Sequence, residues 1–172
     1  LRDEFTINSG FTRGLYIDVI ELLGEPVLVM NRFDAKAMLS WKIDHEGIGS
    51  DAAKALARMV AASHVIAPRR DTPGIDIMTG LGAQLSRAFT NSPDLFRAAE
   101  TLEFHGLYED SLARLKGLLN RRGEEGLVRR CHGDMHCGNI VVLNGEPTLF
   151  DAIEFSEKIA TIDVLYDLAF LL

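Results

Sequence analysis

Two carboxylates and one amide lie close together in the last quarter of the sequence. Asp134 is followed five residues later by Asn139, and Asp151 comes twelve residues after that amide. If the fold brings them together, Asp134 can orient a hydroxyl group and accept its proton, while Asn139 and Asp151 offer oxygen ligands to Mg²⁺. Magnesium-dependent transfer of a phosphoryl group from ATP requires such a base and such ligands. The spacing therefore predicts Asp134 as a catalytic base and the other two residues as metal ligands.

The residues between Asn139 and Asp151 predict the element that brings these two side chains together. A β-branched, apolar run at 140–143 and a second run at 148–150 flank the dipeptide Asn144-Gly145. Such runs on both sides of Asn-Gly indicate a strand, a two-residue turn and a second strand. A hairpin of this size would carry Asn139 and Asp151 back beside each other.

The loop around Asp134 resembles a known catalytic loop. Protein kinases carry H-R-D-L-x-x-x-N and later D-F-G, and this chain has His-Gly-Asp followed by Asn at the same spacing. Glycine after the histidine resembles the aminoglycoside phosphotransferase and choline kinase branch, in which the loop reads H-G-D-x-H-x-x-N. The likeness is closest to bacterial aminoglycoside-phosphotransferase-like proteins that are often fused to a C-terminal P-loop ATP-binding domain. It covers residues 131–140, 149–155 and 162–172, together with the strand-like residues 15–33.

This resemblance implies roles for further residues in the loop and beyond it. His132 would support the loop rather than react, and His136 and Glu154 would lie near the phosphates or the metal. The predicted catalytic residues are therefore Asp134, His132 and His136, with ATP and Mg²⁺ as the cofactors. Asp167 resembles a helix aspartate that hydrogen-bonds the backbone of the catalytic loop, whose N–H groups otherwise have no partner.

The same resemblance implies an α+β, protein kinase-like fold. Residues 1–33 would be the C-terminal part of the N-lobe with the hinge, and residues 34–172 a mainly helical C-lobe, truncated at its C-terminus. The apolar runs at 15–20 and 26–30 indicate a pair of strands; without the later loop they would indicate an ordinary hairpin. The hinge, whose backbone would bind adenine, is predicted at Val29, Met30, Asn31 and Arg32.

The middle of the chain predicts a helical body. Helices are expected at 35–41, 52–63, 83–89 and 159–172. A loop is expected at residues 67–74, and Gly80 and Gly82 would extend it up to the helix at 83–89. Ser92-Pro93-Asp94 predicts a further helix start, because a capping serine precedes a proline and an acid. Apolar residues then recur at helical spacing from 95 to 119, where Gly106 either separates two helices or bends one.

The composition and the net charge indicate what type of protein this is and what type of molecule it binds. The chain has 172 residues, 47% of them hydrophobic, and a net charge of −7. These values indicate a globular domain and disfavour nucleic acid, whose phosphates select basic surfaces. They are compatible with a small and cationic acceptor molecule. No apolar run approaches the roughly 18 residues of a membrane span and no signal peptide opens the chain, so we expect a cytoplasmic protein without a membrane partner.

The distribution of lysine suggests a piece of a larger protein. None of the five lysines precedes the first strand pair, where a kinase carries the lysine that holds the ATP phosphates. Residues 8–14 form the only early glycine-bearing loop, but their spacing is wrong for a P-loop. The first residue is Leu1 and the last residues are apolar, so both ends look cut. We therefore expect a fragment; the alternative is a kinase-like module that does not turn over.

Cysteine and histidine leave a third hypothesis open, a zinc protein. The candidate ligands are Cys131, His132, His136 and Cys137. Adjacent ligands strain a tetrahedral site and no second cluster exists elsewhere, so packing beside the loop is favoured for the two cysteines. A Cys-His hydrolase would need one of these thiols activated by a histidine, which the spacing does not specify. His64 is expected to be a packed or capping residue.

Overall fold

A computed structural model of the chain describes residues 1–12 and 14–172. The helices are α1 (Arg2–Phe11), α2 (Leu39–Glu46), α3 (Ser50–Ile66), α4 (Gly74–Asn91), α5 (Ala98–Glu124), α6 (Glu157–Ala160) and α7 (Val164–Ala169). The strands are β1 (Tyr16–Leu22), β2 (Glu25–Met30), β3 (Val128–Arg130), β4 (Ile140–Leu143), β5 (Glu146–Leu149) and β6 (Thr161–Asp163). Within the described residues β1 pairs with β2, β3 with β6 and β4 with β5. This mixture of helices and small sheets agrees with the predicted α+β class.

The strand pair predicted near the start of the chain is confirmed. β1 and β2 are antiparallel, and Leu22 lies opposite Glu25 at the turn. The two turn residues, Leu23 and Gly24, have φ angles of 55° and 85°. Positive φ at both central residues gives a two-residue turn the twist that the flanking strands need. The pair therefore closes as a tight hairpin, although a leucine occupies a position that glycine or asparagine usually takes.

Helix α1 replaces the early loop that the sequence predicts. The loop expected at residues 8–14 is wrong over Asn8–Phe11, which belong to the helix, and Arg13 lies outside the described residues. No side chain caps the N-terminus of α1, so local signals for this helix are weak. Tertiary packing compensates, because Phe5 packs against buried residues of β1 and β4 and Asn8 is fully buried.

The hairpin predicted between the two candidate metal ligands is confirmed. Ile140 lies opposite Leu149 in the antiparallel pair of β4 and β5. The turn residues Asn144 and Gly145 have φ angles of 53° and 85°, as the Asn-Gly dipeptide predicts. Both paired side chains belong to a buried apolar cluster with three residues of α2, α3 and the preceding loop: Leu39, Val60 and Met135. This cluster anchors the hairpin to the helical body.

Several predicted boundaries in the helical body are wrong. The loop predicted at 67–74 is confirmed as far as residue 73, but its extension through Gly80 and Gly82 is wrong, because α4 begins at Gly74. Gly82 permits close approach rather than breaking the helix, since a Cβ there would lie 2.4 Å from the Tyr108 ring. The helix start predicted at Ser92-Pro93-Asp94 is a single turn that does not continue, and Phe96 folds back onto Phe89 with ring centroids 4.8 Å apart. Helix α5 begins only afterwards and runs without a break through Gly106, so this glycine does not separate two helices.

The single helix predicted at 159–172 is also wrong. α6, β6 and α7 occupy this segment instead. The Cys131 N–H donates to Ala160 O at 2.8 Å, and β6 pairs with β3. These bonds to a distant part of the chain outweigh the local helix propensity. The Asp163 carboxylate then starts α7 by accepting a hydrogen bond from the Leu165 N–H.

The chain divides into two compact units. The first unit comprises residues 1–68 and 129–172, and the second comprises residues 69–128. The first unit contains both hairpins and every candidate site residue named above, while α4 and α5 make up most of the second. The predicted lobe division, 1–33 and 34–172, stays a prediction. None of the helices in the described residues is long and apolar enough to cross a membrane.

Candidate active site

The loop between β3 and β4 carries the predicted base, and its shape depends on Gly133. This residue has a φ of 85°, a conformation that side chains other than glycine rarely adopt. A Cβ there would lie 3.3 Å from Ala160 Cα and 3.3 Å from the Ile153 side chain. The loop therefore passes too close to its neighbours for a larger residue, which explains the glycine between His132 and Asp134.

The predicted base and one predicted metal ligand are in direct contact. The Asn139 side-chain amide donates hydrogen bonds of 3.0 Å to Asp134 O and to Asp134 Oδ2. His136 Nε2 lies 3.5 Å from the same carboxylate oxygen, and its Nδ1 accepts a hydrogen bond from the Gly138 N–H at 3.0 Å. The Asp134 side chain is 45% exposed. The carboxylate of the predicted base thus has two neighbours that orient it and remains partly exposed.

Asp151 directly follows the hairpin, as its spacing predicts. The Phe150 N–H donates to Asn139 O at 3.1 Å, so pairing continues one residue beyond the two strands and ends next to Asp151. This residue has a φ of 61°, which is uncommon outside glycine. Strained backbone of this kind concentrates at functional sites. Its side chain is exposed.

The oxygen atoms offered by these residues fit Mg²⁺. Both contacts of the Asn139 amide group are to oxygen acceptors, so its NH₂ must face Asp134 and its carbonyl oxygen must face away. Mg²⁺ takes only a few such oxygens from protein and completes its shell with phosphate and water. Several carboxylates lie near Asp151. The pKa of Glu4 is raised by burial first, and then by the negative charges of Glu154 and Asp151. A concentration of negative charge favours a cation here.

His132 is fully buried and packs against the loop that carries Asp134. Its Nε2 donates to Phe150 O at 2.9 Å, and its Nδ1 accepts a weak hydrogen bond from the Asp134 N–H at 3.4 Å. The ring also meets Phe11 edge to face, with centroids 5.4 Å apart. Burial lowers the pKa of His132, so the neutral ring is favoured. These contacts support the structural role that the family resemblance implies.

The contact predicted for Asp167 is confirmed. Its Oδ1 accepts a hydrogen bond from the Gly133 N–H at 2.9 Å. Its Oδ2 lies 2.9 Å from His64 Nε2, and the aspartate side chain is fully buried. His64, which the sequence suggested was packed or capping, thus pairs with the carboxylate that holds the catalytic loop. The separation of 103 positions between the two partners explains why no local pattern could indicate this pair.

Sequence reasoning also misses two residues at the start of the chain. Asn8 and Tyr16 hydrogen-bond the main chain of Ala152 and Asp151, respectively. Buried asparagine is uncommon unless it has hydrogen-bond partners. The sequence does not predict helix α1, so it could not predict that Asn8 is buried.

The predicted hinge borders an open cleft. Val29 and Met30 end β2 and the other two hinge residues follow it. Asn31 is already bonded, because its N–H donates to Leu15 O at 2.8 Å. A cavity of about 620 Å³ is lined by Arg32, Phe33, Asp34 and Ala35. The Phe33 ring meets that of Phe150 edge to face at 5.6 Å, which links the cleft to the residue before Asp151.

The four candidate zinc ligands are not grouped as a metal site. Among the described residues, the group whose ligand atoms lie within 4.8 Å of one another is His64, Cys131 and Asp167. Both oxygens of that carboxylate already accept hydrogen bonds. Burial raises the pKa of the Cys131 thiol far above its usual value, which opposes the thiolate form that binds zinc. Packing beside the loop accounts for Cys131.

Relatives of this chain come from mycobacteria. Proteins of Mycobacterium bovis and of two strains of Mycobacterium tuberculosis are each 26% identical to it over 181 residues. The matched region is 98% of this chain but 36% of each relative, so the chain spans about a third of their length. All three carry the name uncharacterized protein. No solved structure matches the chain significantly.

A match to a protein family covers most of the chain. The phosphotransferase enzyme family matches residues 14–172, a region that includes both hairpins, the catalytic loop and Asp167. This agrees with the predicted aminoglycoside phosphotransferase-like family, whose fold is protein kinase-like. The mixture of helices and small two-stranded sheets is compatible with part of such a domain. The chain therefore belongs to the phosphotransferase enzyme family.

Proposed function

We propose that this chain carries the catalytic site of an ATP- and Mg²⁺-dependent phosphotransferase whose acceptor is a hydroxyl group of a small molecule. One observation carries the proposal: Asn139 bonds the carboxylate of Asp134 through its NH₂ group and turns its oxygen away. A base and a metal ligand are thereby held as one unit, and the hairpin adds Asp151. Membership of a phosphotransferase family supports the same chemistry.

The residues divide the reaction between them. Asp134 accepts the proton of the acceptor hydroxyl while the hydroxyl oxygen forms a bond to the γ-phosphorus of ATP. The bond between that phosphorus and the β–γ bridging oxygen breaks, and ADP leaves. His136 lies close enough to steady the carboxylate of the base. Asn139 and Asp151 would hold Mg²⁺, which neutralises the charge of the phosphates when bound.

The remaining parts of the proposal concern nucleotide and acceptor. Residues 1–33 would form the end of an N-lobe and residues 34–172 most of a C-lobe, with adenine bound at the hinge, residues 29–32. The cleft beside Arg32 and its contact with Phe150 through Phe33 support this placement of the nucleotide. The net charge of −7 favours a cationic acceptor.

Calorimetric titration of the complete protein with ATP, with and without Mg²⁺, tests the proposal. Asp151→Ala should weaken Mg²⁺-dependent binding, because one metal ligand is lost. Asp134→Ala should bind nucleotide as the wild type does but lose about 10²–10⁴-fold in phosphoryl transfer, the usual contribution of a general base. Asp44→Ala, which removes an exposed acid on α2, is the matched control and should change neither quantity.

Two outcomes would contradict the proposal in different ways. If a folded wild-type protein binds no ATP in the presence of Mg²⁺, the assigned nucleotide site is wrong. If Mg²⁺-dependent binding is present and lost in Asp151→Ala, but no hydroxyl acceptor is phosphorylated, the site binds without turnover. The second result would favour the kinase-like interaction module.

A further inference from the structure

Asn8 is a polar side chain that is completely buried beside the segment after the hairpin. A buried amide is unfavourable unless its donor and acceptor find partners. The Oδ1 atom of Asn8 accepts a hydrogen bond of 2.7 Å from the Ala152 N–H. Its Nδ2 donates to Glu4 O at 3.1 Å and lies 3.5 Å from Ala152 O. The amide thus reaches both main-chain polar groups of a single residue.

That residue immediately follows the candidate metal ligand Asp151. Ala152 is itself fully buried, so water cannot replace the partner of its N–H group. Tyr16 adds a second contact, since its hydroxyl accepts a hydrogen bond from the Asp151 N–H at 3.1 Å. Helix α1 and strand β1 therefore hold two successive residues that lie 144 and 135 positions away in the sequence.

Asp151 needs such support because of its backbone conformation. A φ of 61° places it in the left-handed region, and residues other than glycine remain there only when the surrounding structure determines their conformation. The hydrogen bond to its own N–H and the one to the next N–H act on both sides of its Cα. A leucine at position 8 would fill the same space but could fix neither main-chain group.

We propose that Asn8 and Tyr16 are positioning residues that fix the main chain around Asp151 and so set the place of its carboxylate. The effect on the main chain does not depend on whether Asp151 binds a metal. The effect on Mg²⁺ rests on the proposed function, because it requires Asp151 to be a metal ligand. Removing a hydrogen bond that orients a metal ligand commonly weakens metal affinity by about 10–100-fold.

Hydrogen exchange of the complete protein without ligands tests the first effect. Asn8→Leu keeps the volume and favours the helix but removes both contacts to Ala152. We expect exchange of the amides in residues 149–154 to become about tenfold faster, as for the loss of one buried hydrogen bond. Ser9→Ala, at an exposed position of the same helix, is the matched control and should leave exchange there unchanged.

The Mg²⁺ dependence of ATP binding tests the second effect. Asn8→Leu should raise the Mg²⁺ concentration for half-maximal binding by about 10–100-fold, whereas Ser9→Ala should not. Tyr16→Phe removes only a hydroxyl, and we expect changes in the same direction but smaller. This milder variant also decides the matter if Asn8→Leu does not fold.

Each result separates a positioning role from a purely structural one. Lower thermal stability with unchanged local exchange and unchanged Mg²⁺ requirement, in both variants, would overturn the inference. If the wild type shows no Mg²⁺-dependent ATP binding, the proposed function fails; the exchange data then still decide whether Asn8 and Tyr16 fix this segment.

Discussion

At the scale of single residues, the candidate site depends on the direction of one amide group. Asn139 faces a carbonyl and a carboxylate oxygen of Asp134. If its oxygen faced them, three acceptors would meet without a proton between them. The chemistry of these neighbours therefore sets which atom of Asn139 remains for a metal. Sequence spacing predicts that the two residues are close, but only the fold reveals the hydrogen bonds that orient the amide.

His132 should make the stability of the loop around Asp134 depend on pH. Its Nδ1 accepts from the Asp134 N–H while its Nε2 donates to Phe150 O, a pattern that only the neutral ring can make. Burial lowers the pKa of His132 below the ordinary value of 6.5. Below that value the unfolded chain binds the proton more readily than the folded one, so acid favours unfolding.

We therefore expect the free energy of unfolding to fall as the pH drops below about 6.5, by roughly 1.4 kcal/mol for each unit by which the pKa is lowered. Urea denaturation between pH 5 and pH 8 measures this. His132→Gln should show a shallower fall, because glutamine does not titrate. His105→Gln, which replaces an exposed histidine, should keep the wild-type profile. An equally steep fall in His132→Gln would refute the assignment.

At the scale of elements, the hairpin of β4 and β5 depends on its turn. Gly145 has a φ of 85° and open space where a Cβ would be, so alanine there meets backbone strain alone. Gly145→Ala should lower the free energy of unfolding by about 1–2 kcal/mol. Gly145→Asn should lower it less, because asparagine tolerates the left-handed region. Chemical denaturation at neutral pH gives both values.

The same substitution in α5 is the control and should have the opposite sign. Gly106 lies inside this helix with no atom near its virtual Cβ. Gly106→Ala should raise the free energy of unfolding by about 0.5–1 kcal/mol, since glycine loses more conformational freedom on folding. Destabilisation by Gly106→Ala would mean that space is tighter there than the structure shows.

The elements that the sequence predicts correctly are those formed by local signals. Both hairpins bring together residues that are near each other in the chain, and the Asn144-Gly145 turn supplies its own geometry. The helix predicted at 159–172 fails because β6 pairs with a strand about thirty residues earlier. The predicted helix start at Ser92 fails because aromatic packing of Phe96 redirects the chain.

The same distinction applies to the candidate site. Asp134, Asn139 and Asp151 share one short stretch of sequence, so their types and spacing suffice to propose them as a site. The residues that support them are far away: His64 joins Asp167 across 103 positions, and Asn8 reaches Ala152 across 144. Contacts of that length are properties of the fold, and no pattern within the chain specifies them.

At the scale of the whole molecule, the candidate site belongs to one unit. Residues 1–68 and 129–172 contain the candidate base, the candidate metal ligands, the pair of His64 and Asp167, and the residue of α1 that contacts Ala152. The second unit, residues 69–128, contributes none of these side chains. The two units can therefore be perturbed separately, and substitutions in the second should change its stability without changing nucleotide affinity.

Two glycines of α4 allow that test. A Cβ on Gly82 would lie 2.4 Å from the ring of Tyr108, whose hydroxyl donates to Met78 O at 2.6 Å. Gly82→Ala must displace this ring, so the free energy of unfolding should fall by about 1–3 kcal/mol. Gly80 has no atom within 4 Å of its virtual Cβ, and Gly80→Ala should instead add about 0.5–1 kcal/mol.

Both variants, measured well below their unfolding temperatures, should bind ATP with Mg²⁺ as the wild type does, within a factor of about two, a difference of less than 0.5 kcal/mol. The reason is that the added Cβ at Gly82 meets Tyr108 of the second unit, whereas Asp151→Ala removes a candidate metal ligand in the first. Titration calorimetry and thermal denaturation of the same samples separate the two quantities. A folded Gly82→Ala protein with strongly weakened binding would show that the second unit helps to form the site.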